Sequence, residues 1–115
     1  MIGPSDMKCK CGCGEVIADE RFLQMLNAAE LIVYPRTFDI ESGYRCAAHN
    51  AAVGGAKNSA HLRGEAADIK IVSDKDRYDF HSALQSAGFT RFGFGGTFIH
   101  VDDSPQLNQR RMWVY

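Results

Sequence analysis

The 115-residue chain predicts an α+β domain in which a small antiparallel sheet packs against two or three helices, and three patterns carry that expectation. Phe22, Leu26, Ala29 and Val33 recur at helical spacing ahead of Pro35. Phe80, Leu84 and Ala87 form a second apolar stripe between Ser73 and Gly88. Short runs with period-two alternation, Ala66 to Val72 and Thr97 to Asp102, complete the set; such alternation is what a half-buried strand requires.

The elements follow in order. Residues 1–18 read as a Cys-rich N-terminal arm and residues 19–115 as a single domain. Asp19 can cap a helix that runs to about Tyr34, where Pro35 forces the stop. Thr37 to Glu41 alternates as a short strand, and Ser42-Gly43 turns it toward Arg45. A short helix over Ala47 to Ala52 is ended by Gly54-Gly55, leaving a loop to Ser59. After the strand that starts at Ala66, Ser73 caps the second long helix with Asp76 at its third position, and Gly88 closes it. Phe89 to Phe94 alternates toward Gly95-Gly96, a two-residue turn that folds it against Thr97 to Asp102 as a hairpin. The tail Arg111 to Tyr115 reads as a last strand or packing segment, because its aromatic side chains are costly to expose.

Composition excludes several function classes. With 13 Lys and Arg against 14 Asp and Glu, the chain has no excess of basic charge, and apart from Arg110-Arg111 its cations are scattered, so the electrostatic footprint of a nucleic-acid binder is missing. No apolar run approaches the ~18 residues of an integral membrane segment. Residues 1–8 lack the basic start and apolar core of a secretory signal, so the expectation is synthesis in the cytoplasm, or a leader already removed.

The candidate chemistry lies in two segments, Ser59 to Asp68 and Phe98 to Asp102. Alternation places Ala67, Ile69 and Ile71 on one strand face and Asp68 on the other. Ile99 and Val101 likewise oppose Phe98, His100 and Asp102. If the two strands pair, Asp68 and His100 meet, and Gly64 lets the chain bend so that His61 returns toward the carboxylate. Two imidazoles and one carboxylate are three protein ligands for a zinc ion that keeps one position open, which points to catalysis. Asp102, on the face of His100, can accept the second ring proton of that histidine. His49 and His81 fit structural roles.

The pattern Ser-x-His-x-x-Gly-x-Ala-x-Asp, followed by apolar-x-His-x-Asp, resembles the zinc D-alanyl-D-alanine carboxypeptidase family, peptidase family M15, which shares its fold with the Hedgehog signalling domain. Ser42-Gly43-Tyr44-Arg45 and Asn50 to Gly55 resemble segments preceding the first metal motif in one branch of it, so the likeness runs from about Asp19 to Asp102. The resemblance implies zinc held by His61, Asp68 and His100, and Arg45 contacting the substrate or transition state. It implies hydrolysis in the peptidoglycan stem peptide, between two D-alanines or between L-alanine and D-glutamate. The expected place of action is the bacterial cell wall, by analogy with leaderless phage or prophage enzymes.

One position departs from the family. Its members place an acidic residue three positions before the last ligand, or a histidine two before it; here those positions hold Thr97 and Phe98. Asp102, Asp103, Glu65 or a group from the Cys-rich arm are the candidate substitutes for the general base. The same gap keeps open a non-catalytic zinc module that grips a wall peptide.

Cys9, Cys11 and Cys13 crowd together, with Cys46 alone after Arg45. Free thiols, one bridge from the arm to Cys46 and a second, structural zinc are the alternatives, and redox or metal-storage function would run through these residues. One-residue spacing makes a single all-cysteine site strained, since structural zinc pairs are usually two to four residues apart.

Overall fold

In the computed structural model, which describes residues 1–115, helix α1 spans Glu20–Ile32. It begins where Asp19 accepts a hydrogen bond from the Phe22 N–H at 2.9 Å, satisfying a donor that the first helical turn leaves free. Strand β1 is Ile40–Ser42, shorter and later than the Thr37 to Glu41 run, because Phe38 is drawn into the core and its N–H bonds to the Glu30 carboxylate. Helix α2 follows at Ala47–Ala52, then a 3₁₀ turn over Ala60–Arg63 and strand β2 at Ala66–Lys70. Helix α3 spans Asp74–Ser86 under a Ser73 cap to the Asp76 N–H, and Gly88 follows it with φ of 109°. Strands β3, Arg91–Phe94, and β4, Phe98–Asp102, form the expected hairpin, but its turn falls one residue later than expected. The Gly95 N–H donates to the Phe98 carbonyl, which leaves Gly96-Thr97 at the tip. Strand β5 is Arg111–Val114.

The sheet order is β1-β2-β4-β3-β5. The sheet is antiparallel across β1, β2, β4 and β3, as expected for the strands that carry the candidate site, and β5 adds a parallel edge beside β3, so the sheet as a whole is mixed. Residues 103–110 carry the chain from the end of β4 across the start of β3. Strand β5 therefore starts beside Arg91 and runs in the direction of β3.

One face of the sheet is dry. Ala67, Ile69, Ile99, Val101 and Phe92 are buried there with Phe22, Leu26 and Ala29 of α1 and Phe80, Ala83 and Leu84 of α3. Phe22 meets Phe89 edge-on at 5.6 Å, and Phe38 meets Phe80 at 5.0 Å, the offset geometry aromatic rings prefer. Residues 1–18 do not hang free of this core, since Ile2 and Met7 are part of it. The tail departs from the expected packing: Met112, Val114 and Tyr115 are mostly exposed, and only Trp113 is half-buried. The other face of the sheet carries the polar residues.

Candidate metal centre

A single row crosses all five strands on the open face. Ser42 pairs with Asp68, Asp68 with His100, His100 with Gly93, and Gly93 with Trp113. The strand alternation read from the sequence puts Asp68 and His100 on this face, and the register makes them neighbours. Asp68 Oδ1 lies 2.9 Å from His100 Nδ1.

His61 reaches the same carboxylate from outside the sheet. Ser59 accepts from the His61 N–H at 3.2 Å and starts the 3₁₀ turn, and Gly64 ends it at φ of 68°, a conformation L side chains rarely adopt. A Cβ on Gly64 would also strike the Ile17 carbonyl, so glycine is required there twice over. The turn brings His61 Nε2 to 3.4 Å from Asp68 Oδ1. His61 Nδ1 donates to the Gly43 carbonyl, which fixes the tautomer and leaves Nε2 with a lone pair. That Nε2 is buried and has no hydrogen-bond partner, which leaves it free to ligate an ion. The three ligating atoms lie within 4.8 Å of one another. Two imidazoles and a carboxylate suit zinc among divalent ions, with a position left for solvent or substrate.

The surroundings prepare these groups. His100 turns its other nitrogen, Nε2, to Asp102 Oδ2 at 2.8 Å, and Asp102 Oδ1 accepts from Arg91 Nε at 2.7 Å. Burial by itself holds the His100 ring neutral, but its hydrogen bonds to Asp102 and Asp68 outweigh that and raise its pKa. Burial likewise works to raise the Asp68 and Asp102 pKa values. The hydrogen bonds and charges of the imidazoles win, helped at Asp102 by Arg91; Asp68 is held well below the usual carboxylate range and Asp102 is lowered too. Anionic Asp68 in this setting is a strong ligand.

Arg45 stands at the rim. Its Nη2 lies 3.6 Å from Asp68 Oδ2, Nη1 donates to Asn50 Oδ1 at 3.0 Å, and Nε donates to Ser42 Oγ at 3.3 Å. The guanidinium is therefore held in place on three sides beside a cleft of about 610 Å³ that His61, His100 and Asp102 also line.

The candidate bases separate clearly. Asp102 lines the cleft, but both of its oxygens are engaged, by His100 and Arg91. Glu65 accepts from Arg63 at 2.8 Å, and neither Glu65, Asp103 nor any cysteine lines the cleft. Burial, with the nearby Asp19 and Glu65 charges, pushes Asp103 up to about 6. Phe98 packs against Tyr115 with ring centroids 5.1 Å apart. His81 packs on Phe92 at 4.5 Å, and burial lowers its pKa. His49 donates its backbone N–H to the Cys46 sulfur.

Three cleft residues escaped the sequence reading. Arg91, Trp113 and Tyr115 all line it, with the Trp113 ring 5.5 Å from His100 and 5.1 Å from the Arg91 guanidinium. A signal existed in Gly93, because glycine inside a strand often marks close approach of another group. A Cβ there would run into the Trp113 indole.

A family model described as Peptidase M15 matches residues 2–102, most of the chain and all three candidate ligands. No curated protein sequence matches it.

Proposed function

The chain belongs to the peptidase M15 family, and from that membership we propose that it is a zinc-dependent hydrolase cleaving a peptide bond in the peptidoglycan stem peptide, of the D-Ala-D-Ala carboxypeptidase or L-Ala-D-Glu endopeptidase type. The observation that carries the metal assignment is the buried, unpartnered His61 Nε2 facing Asp68 beside His100. In this reading His61 Nε2, Asp68 and His100 Nδ1 hold the ion. Zinc bound by such a set lowers the pKa of water toward ~7 and polarises a carbonyl, which brings amide hydrolysis within reach at neutral pH.

The chain's own residues do the rest. The Gly43 carbonyl and Asp102 hold the ring protons of His61 and His100 on the nitrogens that face away from the ion. Arg91 keeps Asp102 in place as a positioning residue. Arg45, braced by Ser42 and Asn50, offers planar N–H donors to the substrate, either to its terminal carboxylate or to the oxyanion that forms at the scissile carbonyl. Trp113 and Tyr115 supply an apolar wall for the peptide.

One observation favours a second reading. Asp102 is the one carboxylate lining the cleft apart from the ligand set, and it is already paired twice. A zinc-holding module that grips the stem peptide without cutting it needs no base. The deciding experiment compares wild type with His61→Ala for zinc content, stem-peptide binding and cleavage of purified peptidoglycan fragments, followed by mass spectrometry. A hydrolysed product in wild type, with that product and one equivalent of zinc lost in the variant, supports the hydrolase. Binding without product selects the module. Unchanged zinc and product in His61→Ala would overturn the metal assignment.

A further inference from the structure

The four cysteines converge on one point beside Tyr44, from two distant parts of the chain. Cys9 Sγ lies 3.4 Å from Cys11 Sγ and 3.7 Å from Cys46 Sγ, and Cys11 Sγ lies 3.7 Å from Cys46 Sγ. With Cys13, all four sulfurs fall within 4.8 Å of one another. We propose that Cys9, Cys11, Cys13 and Cys46 form a closed tetrahedral thiolate site for a second, structural zinc ion, which ties the N-terminal segment to the loop carrying Arg45.

The distances choose between metal and disulfide. Four sulfurs at ~2.3 Å from one zinc stand about 3.8 Å apart along the edges of the tetrahedron. A disulfide needs ~2.05 Å and joins sulfurs only in pairs, whereas here three sulfurs stand nearly equidistant from one another with a fourth close by. The near-equal separations of Cys9, Cys11 and Cys46 fit the tetrahedral edge.

The backbone removes the strain expected from one-residue spacing. Gly12 and Gly14 take φ of 88° and 79°, so the chain reverses between and after Cys11 and Cys13, and both side chains turn inward. The Cys9 N–H donates to the Glu15 carbonyl at 3.0 Å and closes that loop. Three backbone N–H groups point at sulfur: Cys46 to Cys9, His49 to Cys46 and Glu15 to Cys13, each at 3.4 Å. Such donors stabilise thiolate over thiol, which is the state a metal takes. Binding would release the thiol protons as the ion enters.

The position gives the site a task. Cys46 caps α2 and directly follows Arg45, while the Tyr44 N–H bonds to the Met7 carbonyl at 2.8 Å. A zinc here fixes the segment that delivers Arg45 and the Gly43 carbonyl to the metal centre. It acts as a staple in a small domain whose core alone is modest.

The test uses the full chain and counts metal. Cys11 and Cys13 are exposed, so Cys11→Ser/Cys13→Ser removes two ligands without opening the core. Wild type is expected to carry two zinc equivalents, His61→Ala one, the double cysteine variant one, and the combination none. Cobalt loaded into the zinc-stripped chain should give sulfur-to-metal charge-transfer bands in wild type and in His61→Ala, and none in the double cysteine variant. Equal zinc in wild type and the double cysteine variant overturns the proposal. So does finding fewer than four alkylatable thiols in the denatured, unreduced protein, which assigns the cluster to a disulfide. The wild-type cobalt spectrum alone tests for thiolate ligation without any variant having to fold, since absence of those bands in wild type also overturns the proposal, and His61→Ala separates this site from the one at His61.

Discussion

Asp68 and His100 stand directly opposite each other on β2 and β4, with carboxylate oxygen and ring nitrogen 2.9 Å apart. Because side chains alternate along a strand, a slip of one residue in either strand would send its ligand to the dry face and the core to water. The apolar residues Ala67, Ile69, Ile99 and Val101 thus set the register that builds the metal centre. Fold stability and ligand geometry are determined by the same pairing.

Asp102 holds His100 through Nε2, the ring nitrogen that faces away from Asp68, and its replacement isolates that role. Asp102→Asn keeps the shape but loses the charge that fixes the Nε2 proton. Zinc affinity at the His61 centre, read by chelator competition in the Cys11→Ser/Cys13→Ser background, should fall roughly 10- to 100-fold. Unchanged affinity would remove Asp102 from the positioning role.

Arg45 is expected to act on the substrate more than on the metal. Arg45→Lys retains positive charge near Asp68 but loses the planar donor pair that Ser42 and Asn50 now brace. Peptide cleavage should lose about 100- to 1,000-fold in kcat/KM, the scale of a lost oxyanion donor. Zinc content should stay at the wild-type value. A matching loss of zinc would show that Arg45 mainly supports Asp68.

Much of this was legible in the residues. Caps at Asp19 and Ser73 and strand alternation located both long helices and the faces of Asp68 and His100, while the Gly95-Gly96 pair marked the hairpin turn to within one residue. What escaped depends on contacts between distant segments. Nothing local in Arg111 to Tyr115 says that it runs parallel to β3, because the path of residues 103–110 decides that. The burial of Ile2 and Met7 likewise depends on where the first residues land. Base candidacy could be narrowed only once Arg63 was seen on Glu65 and Arg91 on Asp102.

Asp103 supplies a pH test away from the ligands. Its carboxyl is pushed from 3.8 up to about 6 by burial and by the Asp19 and Glu65 charges, and its Oδ1 is buried without a partner. Between those values the native state binds more protons than the unfolded chain, so this group lowers stability as pH rises from about 4 to 6. Asp103→Asn should raise Tm by a few degrees at pH 7 and hardly at all at pH 4, with cleavage retained. Comparing variant and wild type at each pH cancels metal loss common to both. An equal shift at both pH values would show that charge is not the cause.

Gly93 and Trp113 test whether the open sheet face depends on one missing side chain. Gly93 is the register partner of both His100 and Trp113, and a Cβ at this position overlaps the indole and, less severely, the Tyr115 ring. The φ of Gly93 is not positive, so Gly93→Ala tests space rather than backbone strain. The indole must move, losing its place beside His100 and over the Arg91 guanidinium. Overpacking of this kind costs about 1–3 kcal/mol where neighbours cannot yield, and less here if the tail swings outward. Trp113 is the sole tryptophan, so its fluorescence reports the movement directly. Emission should shift to longer wavelength and become more readily quenched by acrylamide, while KM for the stem peptide rises as the cleft loses its wall. In a Trp113→Ala background, Gly93→Ala should have a much smaller effect on stability, because the main overlap is gone. Unchanged emission from Gly93→Ala would mean that the indole does not rest on Gly93 in solution, and the cleft would then lack the aromatic wall assigned to it.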